Sequence, residues 1–429
     1  MIHLLTSLSF ISTGNPWPPP TEAERLERYA QNRLLFEGKH EQVYKDWIRL
    51  LREDQQAILE MVLNWHKRLT LLFADLLLGE PPRITAGDKD SQEQQTVERI
   101  IDDNGLFNVA YEVALDVSRY GTGIFKIRYD GRAIIEGQQP AIWFPVVKPD
   151  NIKEIQAHVL AWAYEEEAQE RGKTVTKKYL QTEIHEKGKI ITAKYPIENN
   201  IIGKSIAYEE TETGVDEFLV VPVNNILTTD RVTGLDDYSD LDSIIQELEV
   251  RIAQISRILD KHADPNMYGP DTALEYDSAT GQWIFRGAGK YFPVGPEENP
   301  PGYVTWDGQL EAAFKQIELL MEQLYILSET STAAFGQLKA GLAESGTALR
   351  RLMMAPLAKV NRIRMRFDPA LKEVLWLASA LEKAQGMAGA VLLENIHIDW
   401  KDGLPDDEQE LTQNEVQRYT AGLTSLESS

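Results

Sequence analysis

Hydrophobic positions in the second half of the chain fall into two long helical rows. From Asp240 to Lys261, Leu241, Ile244, Leu248, Ile252, Ile255 and Leu259 recur at steps of three and four with charged residues between them, which predicts one buried helix face. From Gly308 to Glu329 the steps alternate more strictly through Leu310, Ala313, Ile317, Leu320, Leu324 and Leu327, the a/d seam of a helix packed lengthwise on another. About 22 residues at 1.5 Å each make each rod about 33 Å long. Ala263 to Asp307 carries Pro265, Pro270, Pro293, Pro296, Pro300 and Pro301 and cannot continue either rod, so it reads as a small separate lobe. Thr330 to Glu344 is a loop of small residues with Phe335, Leu338 and Leu342 exposed by pattern. Ser345-Gly346-Thr347-Ala348-Leu349 then opens another long helix, which Pro356 and Pro369 should bend or break twice.

The first half has a different rhythm. Residues 1–20 end in a proline-rich stretch (Pro16, Pro18, Pro19, Pro20) and read as an N-terminal arm. Thr21 with Glu24 forms a capping box for a helix through Leu26, Tyr29 and Leu34 that Gly38 can end. A further helical region closes at Gly79, Pro81 and Pro82; two more helices, Ser91 to Asp103 and Leu106 to Tyr120, meet at Asn104-Gly105. Gly121 falls just past a helix end, where positive φ is needed. From Gly123 the period becomes two, with turns at Asp130-Gly131 and Lys187-Gly188, so residues 123–222 read as a mostly antiparallel sheet. Glu394 to Trp400 reads as a returning strand and Asp406 to Tyr419 as a last helix. The fold class is α+β.

This order of rod, proline-rich lobe, rod, apolar loop and long helix resembles the portal proteins of tailed bacteriophages. Short motifs carry the likeness with it: Gly79-Glu80-Pro81, Gly121 after a helix, Ser345-Gly346-x-Ala348-Leu349 and Leu404-Pro405-Asp406-Asp407, over about residues 60 to 420. The resemblance implies a portal-like architecture. It would comprise a mixed helical and antiparallel-sheet wing (21–239, completed by 345–400), two stem helices (240–262 and 308–329) and a small β-containing clip (263–307). A tunnel loop (330–344) would precede the long kinked helix, and a short crown (401–429) would end the chain. It implies a homo-oligomeric ring, twelve copies in the virion, at one capsid vertex, assembled in the host cytoplasm. Double-stranded DNA would pass through it without sequence reading, and its partners would be a terminase motor, head-tail adaptors, and capsid and scaffold proteins. The competing readings are a cytoplasmic helical scaffold or adaptor dimerising through the coiled-coil-like hairpin, and a hydrolase using the nine tryptophans as sugar platforms.

Composition narrows these. Hydrophobic content of 43% and charged content of 26% over 429 residues belong to a folded chain with more than one lobe. The net charge of -23 argues against a surface that grips nucleic acid throughout. With no cysteine there is no disulfide and no thiolate ligand or nucleophile. The longest apolar segment, Leu69 to Leu78, is too short to span a membrane, and Met1 to Ser12 lacks the basic region of a signal peptide. Gly341 to Gly346 has phosphate-loop spacing, but Thr347 stands where that loop needs lysine; Gly121-Thr122-Gly123 precedes a strand and lacks a third glycine. The seven histidines show no metal spacing, and no catalytic pair, cofactor or metal is nominated.

Two charged features remain. Glu311, Glu318, Glu322 and Glu329 lie within about 40° of one another on the second rod, away from its seam. They would line the channel and keep DNA from adhering, or form an ordinary solvated face helped by Lys315. Arg350, Arg351, Lys359, Arg362, Arg364 and Arg366 occur with no acid among them. They would pair with an acidic face of a neighbouring subunit or contact DNA. The interspersed apolar residues favour subunit pairing.

Overall fold

The computed structural model describes residues 4–44, 62–170, 173–263, 267–270, 274–279, 281–284, 291–294, 302–303, 310–337, 350–401, 416–417 and 420. The chain divides into a larger unit (Met1–Glu37, Asn64–Asp240 and Ser328–Ser429) and a smaller one (Gly38–Leu63 and Leu241–Leu327).

In the larger unit, a 3-10 turn at Pro20–Glu22 leads into α1 (Ala23–Phe36). Thr21 lies inside that turn and no side chain caps α1, so the expected capping box does not form; the prolines already fix the entry, and Glu22 instead holds Arg25 at 2.5 Å. α2 (Trp65–Leu78), capped by Asn64, is buried along most of its length and precedes β1 (Arg83–Ala86). Ser91 caps α3 (Gln92–Asn104) by accepting from the Gln94 amide at 3.1 Å. Gly105, at φ 54°, ends α3 and starts α4 (Leu106–Tyr120), a shared left-handed joint. A Cβ on Gly121 would stand 2.3 Å from the Gly234 carbonyl oxygen, and one on Gly123 2.5 Å from that of Val113. The Gly-Thr-Gly step therefore permits close backbone approach to the Gly234 segment on one side and to the middle of α4 on the other.

β2 (Thr122–Tyr129) and β3 (Ala133–Gln138) form a hairpin. β4 (Trp143–Lys148), β5 (Asn151–Glu170), β6 (Lys173–Glu186) and β7 (Lys189–Glu198) then form an antiparallel sheet in chain order. β8 (Ile201–Ile202) and β9 (Ala207–Glu212) both pair with β7. β10 (Val220–Asn224) returns beside β2. Period-two alternation gives the larger sheet two buried faces. Phe144, Val146, Val159, Ala161, Leu180 and Ile184 point to one, Trp143 and Leu160 to the other with Ile124 and Val220.

The first face is covered by residues expected to be an arm. Leu5, Phe10, Ile11 and Trp17 are buried in that cluster, with Trp17 and Phe10 ring centroids 5.2 and 5.8 Å from Phe144. Leu5 also bridges Val146, and Pro16 bridges Ile201. The prolines at 16 and 18–20 steer a packed segment rather than a tail.

A polar chain runs along the other face of this sheet, the one Trp143 and Leu160 share. Trp143 Nε1 donates to His158 Nδ1 at 3.0 Å, His158 sits opposite His185 across β5 and β6, His185 Nε2 lies 3.4 Å from Glu183, and Glu183 holds Lys126 Nζ at 2.6 Å. His158 is 3% exposed. Burial, aided by His185, pushes its pKa down to about 3, and burial lowers His185 against the pull of Glu183. Burial alone would raise Glu183, but bonding from His185 and Lys126 outweighs it and leaves the carboxylate at about 2.

The smaller unit contains α5 (Asp242–Ala263), short strands β11 (Met267–Pro270), β12 (Glu275–Asp277), β13 (Gln282–Ile284), β14 (Tyr291–Val294) and β15 (Gly302–Tyr303), and α6 (Leu310–Leu327). β11 lies between β14, parallel to it, and β15, antiparallel; β12 and β13 form a hairpin. Of the expected row, Leu241 just ahead of α5 and Leu248 and Ile255 on it are buried, joined by Ile245 and Ala253, while Leu259 is half exposed. The buried face follows the 3.6-residue period and rotates off the strict 3–4 seam. On α6 only Leu324 of the row is fully buried, whereas Phe314, Leu319, Ile326 and Leu327 are exposed. His40 anchors a short turn to α5, its Nδ1 2.6 Å from the equally buried Glu249.

The chain returns to the larger unit with α7 (Met354–Ala384) and β16 (Ile396–Asp399). Instead of two breaks there is one interruption, at Met353, ahead of Pro356. Pro356 falls in the first turn, where a missing amide costs nothing, and α7 continues through Pro369 because Phe367, Leu371, Val374, Leu375 and Ala378 bury its other face. β16 pairs antiparallel with β1, Arg83 opposite Asp399.

Candidate functional site

Sequence patterns direct attention to the junction that follows α6 and to the first half of α7. α6 ends at Leu327, so Glu329 is not on its surface stripe. Its backbone is left-handed, φ 57°, and its carboxylate receives a two-pronged hydrogen bond from Arg362 at 2.6 and 3.1 Å. That bond raises the Arg362 pKa above its ordinary value. Ser328 and Thr330 hydroxyls, both buried, meet at 2.8 Å beside it. Glu329 is thus a tether between the junction and α7, which corrects its expected place among channel-lining acids. Glu311, Glu318 and Glu322 are exposed on α6 as the period required.

Thr332–Phe335 forms one 3-10 turn closed by Gly336 at φ 75°. Phe335 is half-buried, edge-on to Trp65 of α2 at 5.4 Å, with the Arg68 guanidinium 5.9 Å from its ring. The exposed-loop expectation therefore fails for Phe335, because a neighbouring aromatic and a cation cover it. Leu338 and Leu342 lie outside the described residues, as do residues 345–349 and the Leu404-Pro405-Asp406-Asp407 motif.

The basic run separates into three environments. Lys359 is buried, its Nζ 2.9 Å from Asp237 and 4.0 Å from the Phe73 ring centroid; Asp237 also accepts from Ser118 and Asn225. Lys359 is therefore engaged inside its own unit, its apolar stem carrying the ammonium past the Phe73 ring to Asp237. Arg362 is taken by Glu329, and Arg364 donates to the Leu76 and Lys401 carbonyls and lies over Trp400. Arg350, Arg351 and Arg366 are exposed. The anchoring roles of Trp65, Arg68 and Asp237 were not readable in advance, since each acts through a contact distant in sequence. Among the described residues no group of three His, Asp or Glu is arranged to hold a metal ion, and no helix is long and apolar enough to cross a membrane.

The described residues thus comprise a mixed helical and antiparallel-sheet body, a helix pair with a small β lobe, and a junction tied down by an ion pair and an aromatic contact. The family described as "Phage portal protein, SPP1 Gp6-like" matches residues 20–429, and the chain belongs to it. Portal proteins are structural components of the capsid vertex, and the α+β class expected from the sequence is the one observed. Solved structures similar to the chain include "Virion of native gene transfer agent (GTA) particle" (11% identity, 96% of this chain and 93% of that chain covered, TM-score 0.47). Two others are "Neck of empty GTA particle computed with C6 symmetry" (13%, 84% and 87%, 0.47) and "Neck of native GTA particle computed with C12 symmetry" (15%, 84% and 87%, 0.43). The comparison with curated proteins gives no match.

Proposed function

We propose that copies of this chain close into a ring, twelve in the virion, that conducts double-stranded DNA during packaging and ejection. Membership of the portal family over residues 20–429 carries the reading. The uncovered apolar residues of α6 support it, because a helix that leaves Phe314, Leu319 and Ile326 in water needs further surface to bury them. In this reading residues 21–239 and 345–400 form the wing, 240–262 and 308–329 the stem, 263–307 the clip that meets the terminase motor and later the head-tail adaptors, and 401–429 a short crown. Capsid and scaffold proteins surround the ring, which is assembled in the host cytoplasm.

Glu311, Glu318 and Glu322 face the channel, where a negative wall discourages a polyanion from sticking. Residues 330–344 form the tunnel loop. Phe335 anchors its base while Leu338 and Leu342 present apolar surface that binds phosphate poorly. No covalent chemistry is required of the chain. Native mass spectrometry of the purified protein tests the assembly: a ring of many copies is expected, and a particle no larger than a dimer at every concentration and salt would sink it.

A further inference from the structure

Once the internal partners of the basic run are subtracted, a specific surface is left over. Met354, Ala358, Asn361 and Met365 fall within about 60° of one another on α7 at 100° per residue, and all four are exposed. The two methionines are 71% and 70% exposed. Arg351, just ahead of α7, and Arg366, about 80° round the helix from Ala358, are also exposed and without an acidic partner among the described residues, in a stretch from 350 to 366 that contains no Asp or Glu.

We propose that this methionine and arginine face of α7 is a subunit contact that docks on an acidic surface of a second copy of the chain. The inference rests on the ring reading above and names one surface that closes the ring. Charge selects the occupant. Each copy has 67 acidic against 44 basic residues, so the surface a neighbour most readily offers is negative, while this face is one of the places where positive charge is concentrated. Apolar content separates a protein partner from DNA. A phosphate backbone is held by Lys and Arg and would leave two methionine thioethers facing charge, whereas methionine and arginine together are enriched where protein surfaces meet. Methionine's unbranched, adaptable side chain suits a contact repeated around a ring.

The chain has no cysteine, so Met365→Cys introduces a single thiol. Its rate of maleimide labelling is compared between isolated ring and dissociated subunits, and Arg351→Glu with Arg366→Glu is examined beside it. The proposal expects labelling at least tenfold slower in the ring, and a ring of the double variant that dissociates at tenfold higher protein concentration. Unchanged labelling in an intact ring overturns the proposal and leaves the ring reading standing. A double variant that assembles normally but loses retention on duplex DNA overturns it in favour of DNA contact. A chain that forms no ring under any condition overturns both.

Discussion

Acid should weaken the larger unit through His158 before any carboxylate in the same cluster is protonated. Trp143 Nε1 can only donate, so His158 Nδ1 must accept and the imidazole must be neutral; protonation would break a buried 3.0 Å hydrogen bond. The residues packed around it are Trp143, Phe218, whose ring lies edge-on at 4.9 Å, and His185, and none supplies a countercharge to an imidazolium in direct contact. With its pKa lowered from 6.5 to about 3, the unfolded chain takes up this proton first. Stability is therefore complete above pH 6.5 and falls as pH drops from there toward 3. The slope is about 1.4 kcal/mol per pH unit for one proton, or about 2 kcal/mol at pH 5. Glu183, held near 2, loses its contribution only below its unfolded pKa of 4.5, so the window between 6.5 and 4.5 isolates the histidines within this cluster. His158→Gln keeps an acceptor for the indole and removes the titration. Urea denaturation followed by circular dichroism at pH 7.5, 6.5 and 5.5, at one protein concentration, should show a shallower pH slope in the variant by about one proton's worth. Equal slopes in the two proteins would refute the argument.

Four further outcomes follow from packing and charge. Phe10→Ala should cost about 3–5 kcal/mol in the same denaturation assay, because the N-terminal segment is part of the sheet's core; a cost below about 1 kcal/mol would restore the free arm. Lys359→Met should cost about 3–5 kcal/mol by stranding Asp237 as a buried charge, and Asp237→Asn added to it should recover part of that loss in a double-mutant cycle. Gly121→Ala should prevent normal folding, seen as loss of cooperative thermal unfolding, since the new methyl meets the Gly234 carbonyl oxygen. Leu338→Lys with Leu342→Lys should reduce packaged DNA while leaving ring assembly intact by electron microscopy. Normal DNA content would remove the loop from the mechanism.

What the sequence made legible is what local periodicity controls. The period of two marked residues 123–222 as sheet, and the glycines at 105, 121 and 131 marked joints where the backbone is left-handed. β9 escaped notice because Glu209, Glu210, Thr211 and Glu212 carry no apolar pattern; its strand form comes from pairing with β7. β1 and β16 each look like a short extended scrap, and only their mutual pairing makes a sheet. In the candidate site, helical phase correctly exposed Glu311, Glu318 and Glu322 but carried on to Glu329 past the end of the helix. Composition marked the basic run as unusual. It could not show that Asp237 and Glu329, remote in sequence, neutralise two of its members.

The ladder between Arg83 and Asp399 has a bearing on biogenesis. One of its strands leaves the ribosome long before the other exists, and the Leu241–Leu327 part of the smaller unit is synthesised in the interval. Closing so large a loop adds little entropy for its extra length but delays the final contact. A nascent chain stopped short of Ile396 would present β1 as a bare edge. Quality control of this polypeptide is therefore exercised late, at the stitch between its two remote scraps of strand.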